Sequence, residues 1–218
     1  MLTDAEIRRR VEDGTLDLVP FEANSLQPAS YDLRVGDFAF ASTTKQKVDL
    51  KQRGVVVIEP GEFIVVETLE TVGLNRQTAG QLGLLSEYAR KGLLMLSGPQ
   101  IDPGFKGVLV VRLVNLAPTT VALPHKAPFL TAQFFRLSEP VAKPYDGPRQ
   151  DQTGITDTDI QELTQTEALT LGGVVKTLGA LAADVRELKG SIGRLSWSIP
   201  LLVAFGIAVI AVIVAIKP

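Results

Sequence analysis

Apolar and polar positions divide the chain into regimes with different periods. From Leu16 to about Pro144, short runs rich in Val, Ile, Leu and Phe (YDLRVGDFAFAS, VVVIEPGEFIVVETLE, GVLVVRLVN, TTVALP and FLTAQFFRL) are punctuated by Pro, Gly and Asn. Strands that short and that evenly spaced predict a mainly β sandwich or barrel rather than a βαβ sheet. The EPGE at Glu59–Glu62 and the IDPGF at Ile101–Phe105 read as turns, because Pro presets φ and Gly accepts a positive one. Ahead of the strands, Thr3-Asp4-Ala5-Glu6 followed by IRRRVEDG predicts a short capped helix. Thr3 or Asp4 is its N-cap and Gly14 its stop.

Beyond the β region the pattern changes twice more. Residues 148–170 are polar and poor in large apolar side chains, as a linker would be. Then Leu171, Val174, Leu178, Leu181, Val185, Leu188, Ile192 and Leu195 alternate in spacings of 3 and 4, an a/d heptad seam that predicts a self-associating helical stalk over 171–196. Five glycines, Gly172, Gly173, Gly179, Gly190 and Gly193, cost helix propensity and make that coil weak by itself. A single amphipathic helix lying on the body or the bilayer is the alternative.

The seam runs into Ile199–Ile216, which carries no charge and no strongly polar side chain. As a helix it would be about 27 Å long, close to the hydrocarbon thickness of a bilayer. A buried core helix of that length without a polar face is rare, so 197–218 is expected to be a transmembrane anchor, with Trp197 at the interface. MLTDAEIRRR does not resemble a signal peptide, and Arg186, Lys189 and Arg194 precede the span. The expectation is a single-pass C-terminal anchor with the body cytoplasmic.

Composition narrows the chemistry. The 218 residues contain no cysteine and one histidine, His125, so neither disulfides nor a zinc centre of the usual type is expected. No GxSxG elbow accompanies His125, which reads as a surface loop residue beside Pro124 and Lys126. The net charge of −2 comes from interspersed signs, without the basic stripe that duplex nucleic acid requires.

The stretch Gln27-Pro28-Ala29-Ser30-Tyr31-Asp32-Leu33-Arg34-Val35-Gly36 resembles the dCTP deaminase family, within the trimeric dCTP deaminase/dUTPase superfamily. Further pieces agree in order: LTDAEIRRRVEDG, EPGEF at Glu59–Phe63, TLETVGL, ARKGL, IDPGFKG and FFRLSEPVAKPYDG. The resemblance implies a dUTPase-like distorted jelly-roll β-barrel over 1–147 and a homotrimer with sites between subunits. It also implies recognition of a pyrimidine deoxynucleoside triphosphate carrying Mg²⁺, and deamination without zinc. In the family a glutamate on the strand after IDPGF relays protons at the C4 amino group, helped by Ser and Arg of an RSSLxRxG motif.

This chain departs from that pattern at the expected pocket. The glutamate position is Arg112, whose guanidinium cannot accept a proton. RSSLxRxG stands as Leu85-Ser86-Glu87-Tyr88-Ala89-Arg90-Lys91-Gly92, which retains Ser86 and Arg90 but replaces the second Ser by Glu87. Opposite charges at Glu87 and Arg112 suggest an ion pair across the old cavity, and strand alternation sets Arg112 among apolar neighbours. Asp102 of IDPGF is retained and corresponds to the dUTPase aspartate that orients water or contacts the sugar, so hydrolysis stays formally open. A purely structural turn is the alternative there. Ser86, Arg90 and Asp102 are thus the expected nucleotide-binding residues, with Glu87 and Arg112 as altered catalytic positions and no protein-held metal. Three functions follow: a membrane-anchored nucleotide binder with lost or altered catalysis, an active dCTP deaminase or dUTPase, and a structural trimer that clusters membrane helices.

Overall fold

The computed structural model describes residues 1–167 together with 179, 181, 185–187 and 189. The chain divides into two compact units, Met1–Gly173 and Val174–Pro218. The expected stalk lies outside the described residues apart from those few helical positions, where Leu181 and Val185 are exposed; the expected span lies outside them altogether. Among the described residues no helix is long and apolar enough to cross a membrane.

The first unit opens with α1 (Asp4–Glu12), where the Thr3 side chain accepts from the Glu6 N–H and the Glu6 side chain accepts from the Thr3 N–H. This reciprocal cap satisfies two N–H groups that a helix start otherwise leaves unpaired. Twelve strands follow, interrupted by short helices. They are β1 (Leu16–Val19), β2 (Leu26–Gln27), β3 (Ser30–Ala41), β4 (Gln46–Asp49), β5 (Val55–Ile58) and β6 (Phe63–Leu74). After them come β7 (Thr78–Leu84), β8 (Leu93–Met95), β9 (Gln100–Ile101), β10 (Lys106–Asn115), β11 (Val121–Pro124) and β12 (Pro128–Arg136). Helix α2 (Leu50–Arg53) precedes β5, α3 (Ser86–Arg90) follows β7, and α4 (Asp157–Glu167) comes last.

Ten strands form one curled antiparallel sheet, seven in the order β8-β10-β6-β3-β12-β7-β9 with β1 on β6 and β2 and β4 on β3, and β11 with β5 forms a separate ribbon. The fold is mainly β, as the short apolar runs predict. Strand β6 organises it: Ile64–Thr68 pair with β3, Thr71–Leu74 pair with β1, and its other edge carries β10. Alternation along the strands sends Tyr31, Leu33, Val66, Val111, Leu113, Phe129 and Phe134 into one core.

The segment expected to be a linker does not run free of the body. α4 and the turn before it cover the opposite face of β6 and β10, where Ile155 and Leu163 join Phe40, Phe63, Val65 and Val114 in a second cluster. Leu163 is 1% exposed, a burial worth about 1.5–3 kcal/mol, and that holds a helix too short to be stable alone.

Candidate functional site

Strand β10 is paired on both edges by strands only near its end. Its backbone at Arg112 meets the chain just beyond β8: the Leu96 N–H donates to the Arg112 carbonyl at 2.9 Å, and the Arg112 N–H donates to Ser97 Oγ at 2.8 Å. With Leu109, Val111 and Leu113 committed to the main core, alternation brings Arg112 out on the face covered by α4. There its guanidinium pairs with Glu162, which α4 carries onto it.

The pair lies in the wall of a cavity of about 370 Å³ lined also by Ser97, Gln100, Asp102, Tyr145, Arg149 and Asp159. Each charged group named on its wall has a hydrogen-bond partner. Arg149 Nη2 donates to Asp159 Oδ1 at 2.7 Å, and Asp102 accepts a short hydrogen bond from Gln100. Asp159 also belongs to the helix start, since its Oδ2 accepts from the Thr156 N–H at 3.0 Å and Oγ1 at 2.7 Å. Burial opposes its charge, but the bonds from Arg149 and Thr156 outweigh that and hold its carboxyl below the usual carboxylate range.

The turn into α4 is fixed from beneath by Glu67 of β6. Its carboxylate accepts from the Ile155 N–H at 3.1 Å and the Phe38 N–H at 3.0 Å. Burial pushes this carboxyl up, beyond what those two bonds recover. The approach is close enough that a Cβ on Gly154 would lie 2.5 Å from Glu67 Oε2, so glycine is required there.

The structure brings Asp102 and Arg112 to one cavity and leaves Ser86, Glu87 and Arg90 outside its lining within a single chain. All three are exposed on α3, which is anchored by buried Tyr88. Within one chain Glu87 and Arg112 do not pair. Glu87 instead pairs with Lys91 one turn along its own helix at 2.6 Å, and that bond holds its carboxyl low. A local i,i+4 partner needs no desolvation of either charge, whereas reaching Arg112 would. The Asp102 carboxylate accepts from the Gln100 side chain, while its carbonyl accepts from the Phe105 N–H at 3.1 Å and closes the IDPGF turn.

His125 also differs from expectation. It is in a loop, but its ring is only 13% exposed and lies 3.0 Å from Asp37, which Lys51 contacts from the other side at 2.8 Å. Sequence reading missed Glu162, Asp159, Arg149 and Gln100. The signal for α4 was present as a capping box, Thr156 with Asp159, leading into Ile160 and Leu163.

Among the described residues no three His, Cys, Asp or Glu side chains gather as a metal site. The cavity's carboxylates are each engaged by Gln100, Arg149 or Arg112, so these residues do not by themselves form a cage for a divalent ion.

The curled antiparallel sheet resembles the dCTP deaminase fold. A crystal structure of 2'-deoxycytidine 5'-triphosphate deaminase from Agrobacterium tumefaciens superposes with a TM-score of 0.54 at 20% identity, over 63% of this chain and 48% of that one. At that identity the likeness establishes the fold. The family is established by sequence: the dCTP deaminase-like family model matches residues 1–136, and the chain belongs to that family. It is 38% identical to the dCTP deaminase of Pyrococcus horikoshii over 153 residues, 70% of this chain and 93% of that protein. A dUMP-forming dCTP deaminase of Tropheryma whipplei is 32% identical over 164 residues, 68% of this chain and 84% of that protein.

Proposed function

We propose that this is a membrane-anchored, dCTP deaminase-like protein that binds a pyrimidine deoxynucleoside triphosphate in the cavity between Asp102 and Arg112, with proton-relay chemistry lost or altered. The observation that carries this reading is the guanidinium of Arg112 in the cavity wall, already paired with a carboxylate. A permanently protonated group cannot take a proton from water, while its donors suit ligand oxygens. Mg²⁺ enters on the triphosphate, since the cavity's own carboxylates are engaged. Residues 197–218 anchor the chain with the body on the cytoplasmic side, and residues 171–196 form the stalk.

Ser86 and Arg90 enter this reading through a homotrimer. They are exposed on α3 and outside their own cavity, as residues completing a neighbouring copy's site would be. Sedimentation of residues 1–167 is expected to give a trimer, and a monomer would remove Ser86 and Arg90 from the site.

Active deamination is the second reading, favoured by the kinship to proteins named dCTP deaminase and by Glu162, which returns a carboxylate to the cavity. The experiment on the first reading is titration of the full-length protein in detergent with dCTP and dUTP in the presence of Mg²⁺, followed by calorimetry and thermal shift. Saturable binding that Asp102→Ala weakens supports it. Absence of binding by either nucleotide would leave a structural trimer that clusters membrane helices.

A further inference from the structure

The two ion pairs in the cavity differ in a way that bears on what the cavity admits. Asp159 is 2% exposed at its side chain and is bonded to Arg149 and twice to Thr156, so it is part of how α4 begins. Glu162 lies nearly one turn further along the same helix and its side chain is 50% exposed, against 27% for Arg112. Ile160 between them and Leu163 just after Glu162 seat α4 on the second core cluster.

Removing α4 from the body would therefore expose a fully buried leucine and break the Arg149–Asp159 pair, whereas turning the Glu162 side chain away exposes no core. Half-exposed ion pairs are weak, about 0.2–1 kcal/mol, because solvent competes for both partners. The backbone of Arg112 is meanwhile fixed by Leu96 and Ser97, so its side chain still starts from the cavity wall when its partner leaves.

We propose that Glu162 is a built-in occupant of the ligand site: its carboxylate holds Arg112 in the place of ligand oxygens and exchanges with them by side-chain rotation while α4 remains seated. This rests on the nucleotide-binding reading above and deepens it. A guanidinium has five N–H donors and no acceptor, so whatever replaces Glu162 must present acceptor oxygens. Two parts of a pyrimidine nucleotide do so, the phosphates and a keto oxygen of the base. The 4-position distinguishes the bases, since uracil and thymine carry oxygen where cytosine carries an amino donor.

The test measures affinities of the full-length protein in detergent for tripolyphosphate, dUTP and dCTP, with Mg²⁺, for the wild type, Glu162→Gln and Arg112→Gln. Removing the competing charge is expected to tighten binding about 1.5- to fivefold in Glu162→Gln, and removing the donor fork to weaken it by at least as much in Arg112→Gln. If the exchanging oxygens are phosphate, tripolyphosphate and both nucleotides tighten together. If they are O4 of the base, dUTP tightens while dCTP and tripolyphosphate do not; if they are O2, which both bases carry, both nucleotides tighten and tripolyphosphate does not. Unchanged or weakened affinity for all three ligands in Glu162→Gln, with the wild type binding nucleotide, overturns the proposal and spares the nucleotide reading. A wild type and a Glu162→Gln variant that both bind none of the three overturn both. Circular dichroism of each variant, and a Glu162→Asp variant expected to fall between wild type and Glu162→Gln, separate these effects from loss of fold.

Discussion

Glu162 of α4 is bonded to Arg112 of β10, a residue 50 positions earlier in the chain, and the two close one wall of the cavity. The pair replaces the one expected between Glu87 and Arg112, and its exposure changes the energetics that follow. A buried pair broken on one side costs about 3–5 kcal/mol, while one this exposed should couple by about 0.2–1 kcal/mol. A double-mutant cycle of Arg112→Ala and Glu162→Ala, read by urea unfolding of residues 1–167, is expected to return the small value. Glu87→Ala should leave the melting temperature unmoved.

Arg34 and Glu70 present the opposite case. Arg34 Nε lies 2.6 Å from Glu70 Oε1, the Arg34 N–H donates to Oε2 at 2.9 Å, and the Glu70 side chain is fully buried. Arg34→Ala should therefore cost about 3–5 kcal/mol by stranding a buried carboxylate. Arg34→Met with Glu70→Leu should cost markedly less than the sum of the single losses, measured by chemical denaturation.

Glu67 links the sheet to α4, and Glu67→Ala leaves the Phe38 and Ile155 N–H groups without their acceptor. A stranded buried donor costs about 1–3 kcal/mol, and the loss should appear as faster hydrogen exchange at Ile155 and through α4. Its pH signature has a definite sign. Because burial raises its folded pKa above the ordinary 4.5, the folded state holds the proton more tightly than the unfolded chain does. The resulting stability is complete below 4.5 and is lost as pH rises through the folded value. Glu67→Gln should remove this descending slope, as read from unfolding free energies between pH 4 and 8.

α4 and the turn before it add apolar cover to the sheet. Cutting after residue 150 removes Ile155 and Leu163 from the cluster of Phe40, Phe63, Val65 and Val114. Residues 1–150 should bind a hydrophobic dye and melt well below residues 1–167. Equal melting temperatures would mean that α4 contributes no stability.

The strands were legible because they are apolar runs bounded by Pro, Gly and Asn, with β10 burying alternate residues and β3 and β6 buried along most of their length, and the capped start of α1 because Thr3 and Glu6 are neighbours in sequence. Position 112 was legible because IDPGF fixes its register. Its partner was not. α4 offers only Ile160 and Leu163 as apolar contacts among many polar residues, so composition reads as linker, and helix formation there depends on a cluster assembled from β3, β6 and β10. Within one chain Glu87 pairs with Lys91, because charge complementarity in sequence says nothing of distance and a residue one turn away is nearer.

Conversion of dCTP to dUTP by the purified full-length protein with Mg²⁺ tests the central claim, that residue 112 has left the cavity without the family's proton acceptor. Loss of a general base costs a factor of about 10²–10⁴, so wild-type turnover is expected to fall at least that far below that of the Pyrococcus horikoshii relative assayed alongside. Turnover at the relative's rate would contradict the account, and its disappearance in Glu162→Gln would transfer the missing role to α4.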